Sequence, residues 1–132
     1  MREILFRGKP IGNAWITDWV YGAFCPKNSK GDIPCIIIYN DKFAGHWFEV
    51  DPETFGQYTG KKVKSGKVFE GDIGVSIDGL FLVCWDDDKA AFVMRFYDYP
   101  YETLYLEEMW DDAEIIGNIH DNPELIKEDS KK

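Results

Sequence analysis

Apolar and polar positions alternate over Ile73, Val75 and Ile77, and the chain returns through Leu80 to Trp85 after Asp78-Gly79. This pattern predicts a β-hairpin with one buried face, because side chains two apart share a face of a strand. Cys35-Ile36-Ile37-Ile38-Tyr39 is a continuous apolar run after Pro34, too short for a helix and consistent with a strand covered on both faces. Ile4-Leu5-Phe6, Trp15 to Phe24 around Trp19-Val20-Tyr21 with an end at Cys25, His46 to Val50, Ala91 to Tyr97, Thr103 to Leu106 and Ile115 to Ile119 have the β-branched and aromatic content of further strands. Arg7-Gly8-Lys9-Pro10, Pro26 to Asp32, Asn40-Asp41-Lys42 and Asp86-Asp87-Asp88-Lys89 separate them as turns or loops. Asn122 before Pro123 is a candidate N-cap for a short C-terminal helix.

Turn formers, aromatics and glycines are densest between Glu49 and Ile73, EVDPETFGQYTGKKVKSGKVFEGDI. Asp51-Pro52 opens a turn or a helical turn. Ser65-Gly66 has the composition of a hairpin tip, which would set Val63 opposite Val68 and Lys64 opposite Lys67. Gly60 and Gly71 mark a bulge or a close backbone crossing, and Tyr58, Phe69 and Ile73 are expected to be largely buried. The whole reads as a mainly β protein of about eight or nine strands. The expected form is a single-domain barrel-like or folded antiparallel or mixed sheet with one or two short helices, spanning residues 1–127, with 128–132 a polar tail.

At 132 residues the chain can bury a core without disulfides or metal. Aromatics at 16% exceed ordinary usage and must go to a core or an interface. The net charge of −9 is uneven: residues 1–85 balance, whereas residues 86–132 hold 14 acidic and 5 basic side chains. Such a surface repels a phosphate backbone at long range and favours a solvated face or a basic partner. Cys25, Cys35 and Cys84 are widely spaced, with no Cys-x-x-Cys pair, so neither a metal template nor a disulfide framework is expected. The chain begins Met-Arg-Glu and has no apolar run near 18 residues, so the expectation is no signal peptide, no membrane and a cytoplasmic location.

Four segments together resemble the YopX family of phage and prophage proteins: Met1-Arg2-Glu3-Ile4 with Phe6-Arg7-Gly8; Trp19-Val20-Tyr21-Gly22; the Glu49 to Ile73 stretch; and Ile115-Ile116-Gly117-Asn118-Ile119 followed by Asn122-Pro123-Glu124-Leu125. The resemblance implies a small, mainly β protein encoded by a bacteriophage or prophage, acting in the bacterial cytoplasm, without an established enzymatic role or catalytic residues. Two positions depart from the pattern. The hairpin tip is Ser65-Gly66 rather than Asn-Gly, and Gly74 stands where a bulkier strand residue is usual.

Candidate chemistry is sparse. Zinc binding by the cysteines with His46 and His120 lacks a close ligand pair, and a Cys-His nucleophile lacks an oxyanion loop. Asp86 to Asp88 lack the spaced oxygens and glycine of a calcium loop and are better explained by a hairpin turn. No cofactor is implied. Lys61, Lys62, Lys64 and Lys67 form a basic hairpin that could contact nucleic acid, although four lysines give few phosphate contacts. Tyr97, Tyr99 and Tyr101, with Asp111 and Asp112, suit contact with a host or phage protein or a second copy of the chain in a homo-oligomer. The expectation is a non-catalytic protein-binding module, with a nucleic-acid-binding module as the alternative and an enzyme last.

Overall fold

The computed structural model describes residues 3–11, 18–25, 35–38, 46–97, 103–109 and 112–126, and for residues 25, 35–38 and 46–47 the backbone alone. The strands are β1 Phe6–Gly8, β2 Val20–Cys25, β3 Cys35–Ile38, β4 His46–Glu49, β5 Gly56–Val63, β6 Gly66–Phe69, β7 Asp72–Ser76, β8 Gly79–Asp86, β9 Ala91–Phe96, β10 Thr103–Tyr105 and β11 Glu114–Asn118. Short 3-10 turns at Pro52–Thr54 and Leu106–Glu108 complete them. The mainly β expectation holds: the strands form two antiparallel sheets and not a closed barrel. Backbone contacts divide the chain into two compact units, residues 1–58 and 59–132.

In the first unit the strands follow the order β4-β3-β2-β1, and the start of β5 pairs with β1 through Phe6 with Gln57 and Arg7 with Gly56. The end of β4 returns to the chain after β1 at one bridge, Pro10 to Val50, where Ile11 N donates to Glu49 O and Asp51 N to Lys9 O. Val50 is fully buried at this crossing, and Gly8 is needed beside it, since a Cβ there would lie 2.8 Å from Val50 Cβ. Phe6, Phe24 and Phe55 pack ring to ring with centroids 5.0 to 5.6 Å apart. One boundary moves: Arg7 and Gly8 belong to β1 rather than ending it. Arg7 is buried because its guanidinium lies 4.6 Å from the Trp19 ring centroid, which supplies a cation–π contact and apolar cover for its stem. Asp51 caps the first 3-10 turn by accepting from Glu53 N, as Asp51-Pro52 predicts.

In the second unit β5 continues into the hairpin with β6, and five strands follow the order β10-β9-β8-β7-β11. Phe81, Val83, Met94 and Phe96 share one face of this sheet and pack with Val63 and Val68 of the hairpin and with Leu106 and Met109 at the second 3-10 turn. Gly74 is explained here. It pairs with Phe81, and a Cβ on it would lie 2.4 Å from Phe81 Cζ, so the missing side chain is the space the ring fills.

The hairpin tips shift by one residue from the sequence reading. Strands end at Val63 and resume at Gly66, and Ser76 pairs with Gly79, so Lys64-Ser65 and Ile77-Asp78 form the tips. Gly66 and Gly79 follow them with φ of +129° and +115°, while the tip residues keep negative φ. The positive φ falls on the first residue after each tip, where glycine adopts it without a Cβ clash. Of Ile73, Val75 and Ile77, which alternation would bury together, Ile73 alone is buried: the core cluster lies on the opposite face of β7 and β8, the one carrying Gly74, Phe81 and Val83.

Candidate functional site

Tyr58, Phe69 and Ile73 are all buried, as expected of a framework segment. Glu70-Gly71-Asp72 is a built corner. Gly71 N donates to Val83 O, Ile119 N donates to Gly71 O, and the buried Asp72 carboxylate accepts from Phe69 N at 2.8 Å. A carboxylate receiving a backbone N–H at that distance offsets part of its lost hydration.

The C-terminal motif is equally structural. Asn118 Oδ1 accepts from His120 N and Asp121 N, and Asn118 Nδ2 donates to Asp121. Gly117 is required beside it, because a Cβ would lie 2.5 Å from Asn122 Oδ1. Asn122 does not use its side chain as the expected helix cap: its Oδ1 accepts from Asn118 N, and the following helical turn starts from its backbone oxygen, which accepts from Leu125 N. These polar groups satisfy one another within a tight turn, leaving them committed to the fold.

The lysine hairpin presents Lys62 and Lys64 to solvent, with Lys61 and Lys67 half-buried. Its tip meets the start of β11, where Ile115 N donates to Ser65 Oγ at 3.3 Å. Lys64, Ser65, Asp112, Ala113 and Glu114 line an open recess of about 340 Å³. Asp112 and Glu114, both exposed, thus place two carboxylates beside the basic tip. Proximity of opposite charge weakens the tip's attraction for phosphate. The sequence spacing of 50 residues hid this juxtaposition.

Of the tyrosine candidates, Tyr97 is half-buried and its N–H donates to Leu80 O; Tyr99, Tyr101 and Asp111 lie outside the described residues. A second aromatic group, missed in the sequence, lies at the β8–β9 turn. Trp85 pairs with Phe92, their rings edge to face at 5.1 Å, and Trp85 Nε1 donates to Asp87 Oδ1 at 2.8 Å. Asp86 Oδ1 accepts from Lys89 N, and Ala90 closes the turn with φ of +51°. The aspartates are turn formers, as their composition predicts.

Cys84 is half-buried, and its thiol pKa is raised chiefly by burial; Arg95 opposes the shift, and Asp86 and Glu70 add to it. A thiol held protonated is a poor nucleophile and a poor metal ligand. Among the described residues no group of three or more His, Cys, Asp or Glu is arranged to hold a metal ion. No helix among them is long and apolar enough to cross a membrane.

No curated protein matches the chain. The YopX protein family matches over residues 11–127, a span that includes the Glu70-Gly71-Asp72 corner and the Gly117-Asn118 turn, and the chain belongs to that family.

Proposed function

We propose that this YopX-family protein is a non-catalytic protein-binding module, phage- or prophage-encoded, acting on a host or phage protein in the bacterial cytoplasm. One observation carries the reading. Residues 59–132 hold 17 acidic and 9 basic side chains, and the same unit exposes Val75, Ile77, Trp85, Tyr105 and Ile116. Exposed aromatics and aliphatics on a unit of net negative charge offer apolar anchors for affinity and charge for partner choice. Tagged protein should capture a defined partner from bacterial lysate. Capture should weaken with salt and with Asp112→Lys combined with Glu114→Lys; recovery of nothing above background would sink the reading.

The exposed Lys62 and Lys64 favour a second reading, nucleic-acid binding through the hairpin. Asp112 and Glu114 beside the tip count against it. Anisotropy of labelled single- and double-stranded DNA at low salt separates the two, because a phosphate contact gains strength as salt falls.

A further inference from the structure

The β8–β9 turn combines an open aromatic ring with unneutralised carboxylates. Trp85 is 45 % exposed although it lies in a paired strand and has Phe92 edge-on beside it. Its indole N–H is already satisfied by Asp87 Oδ1 at 2.8 Å. The ring therefore has no donor left for an acceptor ligand such as a phosphate or carboxylate, and offers its π surface, which attracts cations. Asp87 retains its second oxygen, and the neighbouring Asp88 is exposed.

The nearest lysine does not cancel this charge. Lys89 sits over the Tyr105 ring, its Nζ 5.5 Å from the centroid. Tyr105 pairs with Val93, whereas Trp85 pairs with Phe92, so the two rings project from opposite faces of the sheet. Lys89 is thereby drawn to the face away from Trp85.

We infer that the Trp85 ring with Asp87 and Asp88 is a docking point for an arginine-bearing segment of a partner protein, the guanidinium lying against the indole while the carboxylates accept its N–H groups. Arginine fits better than lysine, since its planar, weakly hydrated cation both stacks on a ring and pairs with carboxylates. Charge complementarity fixes the class of occupant. Two copies joined through this turn would set Asp86 to Asp88 against themselves, and a nucleic-acid backbone would be repelled. The site rests on the protein-binding reading and names the partner's chemistry.

The test is nuclear magnetic resonance titration of the full chain with the amidated peptide Arg-Leu-Arg-Leu-Arg-Leu and with its Glu-for-Arg counterpart. The Trp85 indole resonance is assigned by its loss in Trp85→Phe. The arginine peptide should shift that resonance and the amides of residues 87–90 saturably, and the glutamate peptide should not. Asp88→Lys, at a side chain with no bond in the turn, should weaken binding about fivefold, and Trp85→Ala about tenfold. Equal binding of both peptides, shifts confined to other surfaces, or unchanged affinity in Asp88→Lys with a native-like spectrum would overturn the site. So would concentration-dependent shifts of the Trp85 resonance without peptide, which would mark a second copy as the occupant. A lysate partner still captured by Trp85→Ala and Asp88→Lys would overturn this site and leave the protein-binding reading standing. Peptide binding here without any captured partner would do the reverse.

Discussion

Replacing Gly74 with Ala isolates a purely steric contribution to the stability of the second unit. The glycine has no positive φ, so the backbone accepts alanine. The new Cβ would instead lie 2.4 Å from Phe81 Cζ, 2.8 Å from Cε1 and 3.1 Å from Glu114 O. Phe81 is fully buried and packs edge-on against Phe96 at 5.6 Å, so its ring has little room to retreat. Overpacking of this kind costs about 1 to 3 kcal/mol, against a gain of roughly 0.5 to 1 kcal/mol from a stiffer unfolded chain. The net loss should be about 1 to 2 kcal/mol, or roughly 3 to 10 °C in Tm. Urea denaturation of the wild type, Gly74→Ala, Phe81→Leu and the double variant measures the coupling. Removing the ring atoms should make alanine at position 74 nearly neutral, a coupling of about 1 to 2 kcal/mol. If Gly74→Ala is neutral by itself, or if the two effects simply add, the Gly74–Phe81 contact is not what selects glycine.

Gly66→Ala tests the converse case: nothing lies within 4 Å of the added Cβ, but φ is +129°, so the loss of about 1 to 2 kcal/mol should come from the backbone and should persist whatever neighbours are trimmed, as urea denaturation would show. Asn118→Ala strips the acceptor from His120 N and Asp121 N and should cost about 2 to 3 kcal/mol, with accelerated amide exchange at residues 120 and 121; unchanged exchange would mean the turn holds without it. Cys84, studied with Cys25 and Cys35 changed to Ser, should react with iodoacetamide along a pH profile whose midpoint lies above that of a free thiol, because burial disfavours the thiolate. Since the folded pKa is the higher one, the unfolded thiol ionises first, and this group's contribution to stability is lost as pH rises past the unfolded value. A midpoint at or below the free-thiol value would contradict the burial.

The buried positions of the Glu49 to Ile73 stretch were legible as a framework and proved to be one. Phe69 and Ile73 announced their burial by type and spacing. Arg7 did not, because a charged residue reads as a strand end until Trp19 covers it. Asn122 looked like a helix cap because Asn before Pro is the local signature, yet its side chain serves Asn118 four residues back. Trp85 and Asp87 were visible as a strand end and a turn. Their hydrogen bond follows only from the direction in which the turn aims both side chains.

The sequence by itself determined the β content, the approximate strands and turns, the buried aromatics of Glu49 to Ile73 and the acidic bias of the last third, all of which follow from local periodicity, residue type and composition. Tertiary structure decided what those local signals leave degenerate. A glycine in a strand may answer either a backbone or a neighbour's need, and only the register places Gly74 under Phe81 and Gly66 after the tip. The lysine hairpin and Asp112 with Glu114 are brought together by long-range packing, as are the anchors of the second unit's core. Local sequence sets what each segment can be; cross-strand pairing, which acts between residues far apart in the chain, sets what each side chain meets.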